Sequence, residues 1–116
     1  MSFERGDVVW GPDPFKATEN PRPWLICNNG RHPFGDEQYM TVTLTTSPHD
    51  GTIPIDHDDW VDGGMPKRSY VSPWSVASPK HDAVVRRQGR LRESVVRAVV
   101  DAMQTYLEPL DETDAT

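Results

Sequence analysis

The sequence predicts a mainly β fold closed by one C-terminal helix. Three observations carry this. Of the eleven prolines and eight glycines, all but Gly89 and Pro109 lie in the first eighty residues, which breaks that region into pieces too short for helices. Several of those pieces alternate apolar and polar residues with the period of a strand. From Arg90 onward no glycine or proline occurs until Pro109, and apolar residues recur with helical periodicity. Five or six short strands followed by one helix describe a small β-barrel or curled sheet with a covering helix. The 116 residues suit one domain over 1–109, followed by an acidic, disordered tail over 110–116.

The elements follow in order. DVVW (7–10) reads as the first strand, and GPDPFKATENPRP (11–23), with four prolines, as a long ordered loop. WLICNN (24–29) is the second strand, ending in turn-prone Asn28, Asn29 and Gly30. After a second loop, QYMTVTLTT (38–46) sets Tyr39, Thr41, Thr43 and Thr45 on one face and Met40, Val42 and Leu44 on the other. SPHDGTIPI (47–55) is a turn into a short edge strand, because Pro54 has no N–H for a ladder. DHDDWVDGGMP (56–66) reads as a solvated acidic loop, and RSYVSPWSVAS (68–78) alternates again. DAVVRRQG (82–89) is either a last strand or the entry to the helix, with Gly89 as punctuation. Leu91, Val95, Val99, Met103 and Leu107 then form one amphipathic stripe, widened by Val96 and Val100. The helix is expected over about 91–107.

Composition limits the function classes. No apolar run reaches the roughly 18 residues of a membrane span, and residues 1–8 lack an apolar signal core. The expected location is the cytoplasm, without a membrane partner. Cys27 is the only cysteine, so no internal disulfide forms. It reads as a small buried hydrophobe. The formal charge is −6 and the pI about 5.0, which argues against phosphate-rich partners unless the arginines are grouped. An excess of aspartate with only Lys16, Lys67 and Lys80 as lysines suggests a halophilic source. A melting temperature that fails to rise between low and molar KCl would count against that suggestion.

Candidate chemistry is sparse. Phosphate-loop glycine motifs, a nucleophile elbow and paired cysteines are all absent. His49, Asp50 and the Asp56–Asp59 run are rich in metal donors but follow no known ligand spacing. They read as a surface loop, with a divalent-metal barrel as a weaker alternative. Arg22 stands between Pro21 and Pro23, which restrict its backbone. A fixed guanidinium fork suits a phosphate. Thr45 and Thr46 end the third strand, where a hydroxyl could orient a phosphoryl oxygen. The plain reading is that Arg22 is a surface ion-pair residue and both threonines are ordinary strand residues.

Taken together, RGDVVW, PDPFKATENPRPWLICNN, VTLTTS, RSYVSPWSVAS and RQGRL leading into the helix resemble the PemK/MazF toxins of type II toxin–antitoxin systems. The likeness runs from about Arg5 to Leu107. It implies an SH3-like β-barrel of five to seven strands, a homodimer, and a cofactor-free, metal-independent endoribonuclease acting on short sequences in single-stranded RNA. It also implies a cognate antitoxin whose disordered tail fills the RNA site, with DNA reached only through that antitoxin. The family's catalytic arginine and threonine correspond to Arg22 and Thr45, with Thr46 next in line. Arg22 is expected to stabilise or protonate at the phosphate, and Thr45 to position the transition-state oxygens. Lys16, Phe15, Trp24, Ser69 and Trp74 are the expected RNA contacts, the aromatics by stacking. The chain departs from the family after Ser-Tyr-Val. Trp74, Ser75 and Ala77 stand where an Asp-Gln pair and a basic residue are expected, which leaves a non-catalytic RNA- or protein-binding barrel as the alternative. Arg86, Arg87, Arg90 and Arg92 are either part of an RNA groove or a solvated face.

Overall fold

The computed structural model describes residues 2–14 and 20–111. Seven strands precede one helix: β1 (Asp7–Gly11), β2 (Arg22–Ile26), β3 (Thr41–Thr45), β4 (Ile53–Pro54), β5 (Trp60–Gly63), β6 (Tyr70–Ala77), β7 (Arg86–Leu91) and α1 (Glu93–Thr105). The strands form one antiparallel sheet in the order β4-β6-β3-β2-β1-β7-β5. It is a half-barrel with a C-terminal helix, as expected. Register shifts at Val8/Val9, Val42/Thr43 and Trp60/Asp62 interrupt three ladders. Such bulges sharpen the local twist and let a short sheet curl.

The central strands are buried on both faces. Val8, Leu25, Val42, Leu44 and Val71 form one cluster, which Val95, Val96 and Val99 of α1 cover. Val9, Trp24, Ile26 and Tyr39 form a second cluster, closed by Phe3, Ala77 and Val84. The expected alternation of β3 is therefore present, but its threonine face is not solvated: Thr41 and Thr43 are buried. Their hydroxyls donate to the carbonyls of Ala77 and of Pro23 and Leu44, as buried polar groups require.

Three boundaries differ from the sequence reading. The helix begins at Glu93, not near 91, because Leu91 belongs to β7. Leu91 pairs with Trp60, and its N–H donates to the Gly6 carbonyl at 2.9 Å. The helix ends at Thr105, and Leu107 is 79% exposed. The stripe's last core contact is Met103. Second, the acidic stretch after Ile55 is not a plain loop. It contains a 3₁₀ turn (His57–Asp59) and β5. The Asp59 carboxylate accepts the Asp56 N–H at 2.7 Å, and Trp60 packs on the core. Third, Gly89 is not punctuation but lies inside β7, opposite Gly63. A Cβ on Gly89 would stand 2.6 Å from the Asp62 carbonyl oxygen. The glycine is required because β5 and β7 approach too closely for a side chain.

Among the described residues, no helix is long and apolar enough to cross a membrane. Of the expected tail, residues 112–116 lie outside the described residues.

Cys27 is buried, just past the end of β2. Burial raises its thiol pKa from 9.0 to about 12, partly offset by the nearby Arg5 charge. A raised folded-state value stabilises the fold below the unfolded thiol's pKa, and that contribution fades as pH climbs from 9.0 towards 12. Two outcomes follow. Native protein resists iodoacetamide at pH 8 until denatured. Between pH 9 and 11, stability also falls more steeply than in Cys27→Ala, by about 1 kcal/mol per pH unit. Equal slopes in parallel urea titrations would refute the second.

Candidate active site

The β2–β3 register brings the arginine to the threonine. Trp24 pairs with Thr43. Arg22 lies two residues before Trp24, and Thr45 two after Thr43. Side chains two apart share a face, so antiparallel pairing sets Arg22 and Thr45 on the same face of neighbouring strands. The ladder between β2 and β3 stops at Trp24, while β3 continues against β6 to Thr45–Tyr70. The stop has a chemical cause. Continued by one residue, the register sets Pro23 opposite Leu44, and proline has no N–H to give. The Leu44 carbonyl instead accepts from Arg22 Nη2 at 3.3 Å. Two strands part here, and a side-chain cation supplies the donor that the backbone lacks.

A cleft of about 470 Å³ opens at this split. Arg22, Pro21, Pro23, Thr45, Thr46 and Ser69 line it, together with Trp10, Asp13 and Met65. The Arg22 side chain is 26% exposed, and its Nε lies 3.9 Å from Oδ2 of Asp13, itself 3% exposed. Asp13 on one side and the Leu44 carbonyl on the other hold the guanidinium plane, and Nη1 keeps no protein partner among the described residues. Thr45 Oγ1 accepts the Ser47 N–H at 3.1 Å, a local turn that fixes the hydroxyl at the cleft wall. Thr46 is exposed beside it. The arrangement offers a partly desolvated, restrained cation and a hydroxyl to one anionic group, which is the requirement for holding a phosphate.

The expected RNA contacts divide. Ser69 lines the cleft but is buried, and its hydroxyl donates to the Lys67 carbonyl at 3.1 Å. Phe15 and Lys16 lie outside the described residues. Trp24 does not offer a stacking face. Its ring is 1% exposed inside the second core cluster, and its Nε1 donates to the Pro12 carbonyl. Alternation explains the error: Trp24 follows Arg22 on the same face, but two residues further in, where that face is already core. Trp74 is 41% exposed and lies edge-on to Tyr106 at 6.1 Å, outside the cleft lining. Two cleft residues escaped the sequence reading. Trp10 was taken only as a strand residue, and Asp13 as part of a loop. Their signal was position: Trp10 immediately precedes Gly11, which pairs with Arg22, and Asp13 follows it by two residues.

The arginine cluster is not one surface. Arg87 donates to buried Asp7 at 3.0 Å and to Asp62 at 2.9 Å. Arg90 donates to the same Asp7 oxygen at 3.0 Å and to Glu4 at 3.0 Å. Hydrogen bonds to Asp62 and Asp7 hold Arg87 above the usual arginine range. Arg92 donates to the Asp58 carbonyl. Only Arg86 points elsewhere, stacking on Trp10. Among the described residues, no three His, Cys, Asp or Glu side chains are grouped to hold a metal ion. Asp56 instead pairs with Arg68 at 3.0 Å.

Neither a protein-family model nor a curated protein sequence matches the chain. Solved structures do. An endoribonuclease from a mycobacterial species superposes with a TM-score of 0.73 at 20% identity, covering 96% of this chain and 97% of that one. An endoribonuclease in complex with its cognate antitoxin, also mycobacterial, gives 0.68 at 21% identity, covering 95% and 98%. MazF in the MazE–MazF complex of Deinococcus radiodurans gives 0.69 at 12% identity, covering 95% and 99%. The chain has the MazF toxin fold over nearly its full length.

Proposed function

We propose that this MazF-like half-barrel is a toxin-type endoribonuclease that cuts single-stranded RNA without a metal ion. The observation that carries the reading is the restrained Arg22 guanidinium facing Thr45 across a cleft between parted strands. In the reaction, a ribose 2′-oxygen attacks the adjacent phosphorus. The new P–O2′ bond forms as the P–O5′ bond breaks. Solvent water takes the 2′-hydroxyl proton and supplies one to the leaving 5′-oxygen, which gives a 2′,3′-cyclic phosphate and a 5′-hydroxyl. Charge builds on the non-bridging oxygens. Arg22 meets it with fixed donors that need no reorganisation, and Thr45 orients one oxygen. Arginine stays protonated at any working pH, so its role is electrostatic and not that of a proton donor.

The same reading includes a homodimer and an antitoxin whose disordered acidic tail competes for Arg22. A second reading has one observation behind it. Trp74 and Ser75 replace the Asp-Gln of the resembled family, so the barrel could bind RNA without cutting it. One assay separates the two. A long mixed-sequence RNA is incubated with the protein in high KCl and EDTA. Discrete fragments with cyclic phosphate ends are expected. Intact RNA with a folded, RNA-binding protein would favour the second reading.

A further inference from the structure

A second cation lies against one wall of the cleft. Trp10 lines the cleft and pairs with Pro23 on one side and Arg86 on the other. The Arg86 guanidinium lies 5.2 Å from the centre of the Trp10 ring, within cation–π range. Gln88 locks the pair. Its Oε1 accepts from Trp10 Nε1 at 2.8 Å and from Arg86 Nη1 at 2.8 Å, while its Nε2 donates to the Gly64 carbonyl. Arg86 is therefore restrained on two sides by neutral partners.

Its charge is also set apart from that of its strand neighbours. Arg87 and Arg90, on the same strand, face carboxylates, as do Arg5 and Arg68 elsewhere. In a chain with net charge −6, Arg86 is a restrained, exposed guanidinium with no carboxylate partner among the described residues, set against the Trp10 wall of the cleft, and its outward donors are open to an anion. β7 stands two strands from β2, so Arg86 lies roughly 10 Å across the sheet from Pro23. That is a distance spanned by a phosphodiester chain, not by one phosphate group.

We infer that Trp10, Gln88 and Arg86 form a second phosphate subsite, which holds the RNA backbone beside the phosphate at Arg22. The inference rests on the ribonuclease reading of the cleft. Arg86 takes the flanking phosphate through its free donors, and Trp10 keeps the guanidinium plane fixed.

The test uses short, mixed-sequence 2′-O-methyl oligoribonucleotides, which lack the attacking hydroxyl and stay intact. Affinity is measured across a salt series for the parent, Arg22→Ala, Arg86→Ala and Arg86→Lys, each checked for an unchanged melting temperature. For single strands, each neutralised phosphate contributes about 0.7 to the slope of log K against log salt. Arg22→Ala and Arg86→Ala should each flatten the slope by that amount, and Arg86→Lys should restore it. A slope flattened by Arg22→Ala but untouched by Arg86→Ala overturns the subsite and leaves the cleft reading standing. A slope that neither substitution moves overturns both. If Arg86→Ala spares RNA affinity but weakens capture of an acidic peptide, this wall serves a protein partner and the RNA subsite is wrong.

Discussion

Arg22→Ala should cut RNA at least 10²-fold more slowly than the parent, in the range found when a single transition-state donor is removed. The expectation follows from what Arg22 does in the free protein. Its interactions are one long hydrogen bond to the Leu44 carbonyl and a 3.9 Å approach to Asp13. Neither is a core contact, so removal should leave the fold in place. The loss should fall on kcat more than on KM, because the charge that Arg22 meets is largest in the transition state. Arg22→Lys should rescue poorly, since an ammonium cannot reach the Leu44 carbonyl and the phosphate as a planar fork does. The measurement is cleavage of a fixed RNA under saturating and limiting conditions, beside a melting curve. Parental rates in a folded Arg22→Ala protein would remove the arginine from the mechanism.

The second large effect is on stability. Asp7→Ala should destabilise the protein by about 3 kcal/mol. Asp7 is buried at the start of β1. Its Oδ1 accepts from Arg87 and Arg90, and its Oδ2 from the Glu4 N–H at 2.8 Å. The substitution leaves two guanidiniums without their shared counter-charge and one amide without an acceptor. Both arginines are about one-third exposed, so water relieves part of the loss and keeps the cost at the low end for a broken buried pair. Asp7→Asn retains the shape and one acceptor and should cost less. Asp62→Ala, on the solvated side of Arg87, should move the urea midpoint little. If Asp7→Ala unfolds at the parental urea midpoint, the network is not what joins β7 to β1.

Asp7 also shows how far the sequence could be read. The Gly-Asp before the first strand was legible as a marker, but its partners were not, since Arg87 and Arg90 stand eighty residues away. The basic cluster read as either a groove or a solvated face, and both options were incomplete. Two arginines neutralise a buried acid, one caps a carbonyl, and only Arg86 is left facing an aromatic ring at the cleft. Residue type could not separate them, because the separation depends on which carboxylate each strand register supplies.

The candidate pair, Arg22 and Thr45, was more legible. The prolines around Arg22 and the alternation ending at Thr45 are local features, and local features survive folding. Trp24 shows the limit of that logic. Its distance from Arg22 along the chain is two residues, yet one side chain borders a cleft and the other is sealed in the core. Alternation assigns a face but not the depth at which that face becomes covered.

What the sequence determined alone is the order of elements, because prolines, glycines and apolar period act within a few residues. It also determined that a restrained arginine opens the second strand. What only the tertiary structure decided is the site itself. Pro23 lacks the N–H that would have carried the β2–β3 ladder past Trp24, so the strands part, and Arg22 turns to a carbonyl on the next strand. The same sheet brings Trp10 and Asp13 to that opening, and Arg86 against Trp10. Such pairings join residues up to eighty apart, and their register follows from the packing of the whole sheet.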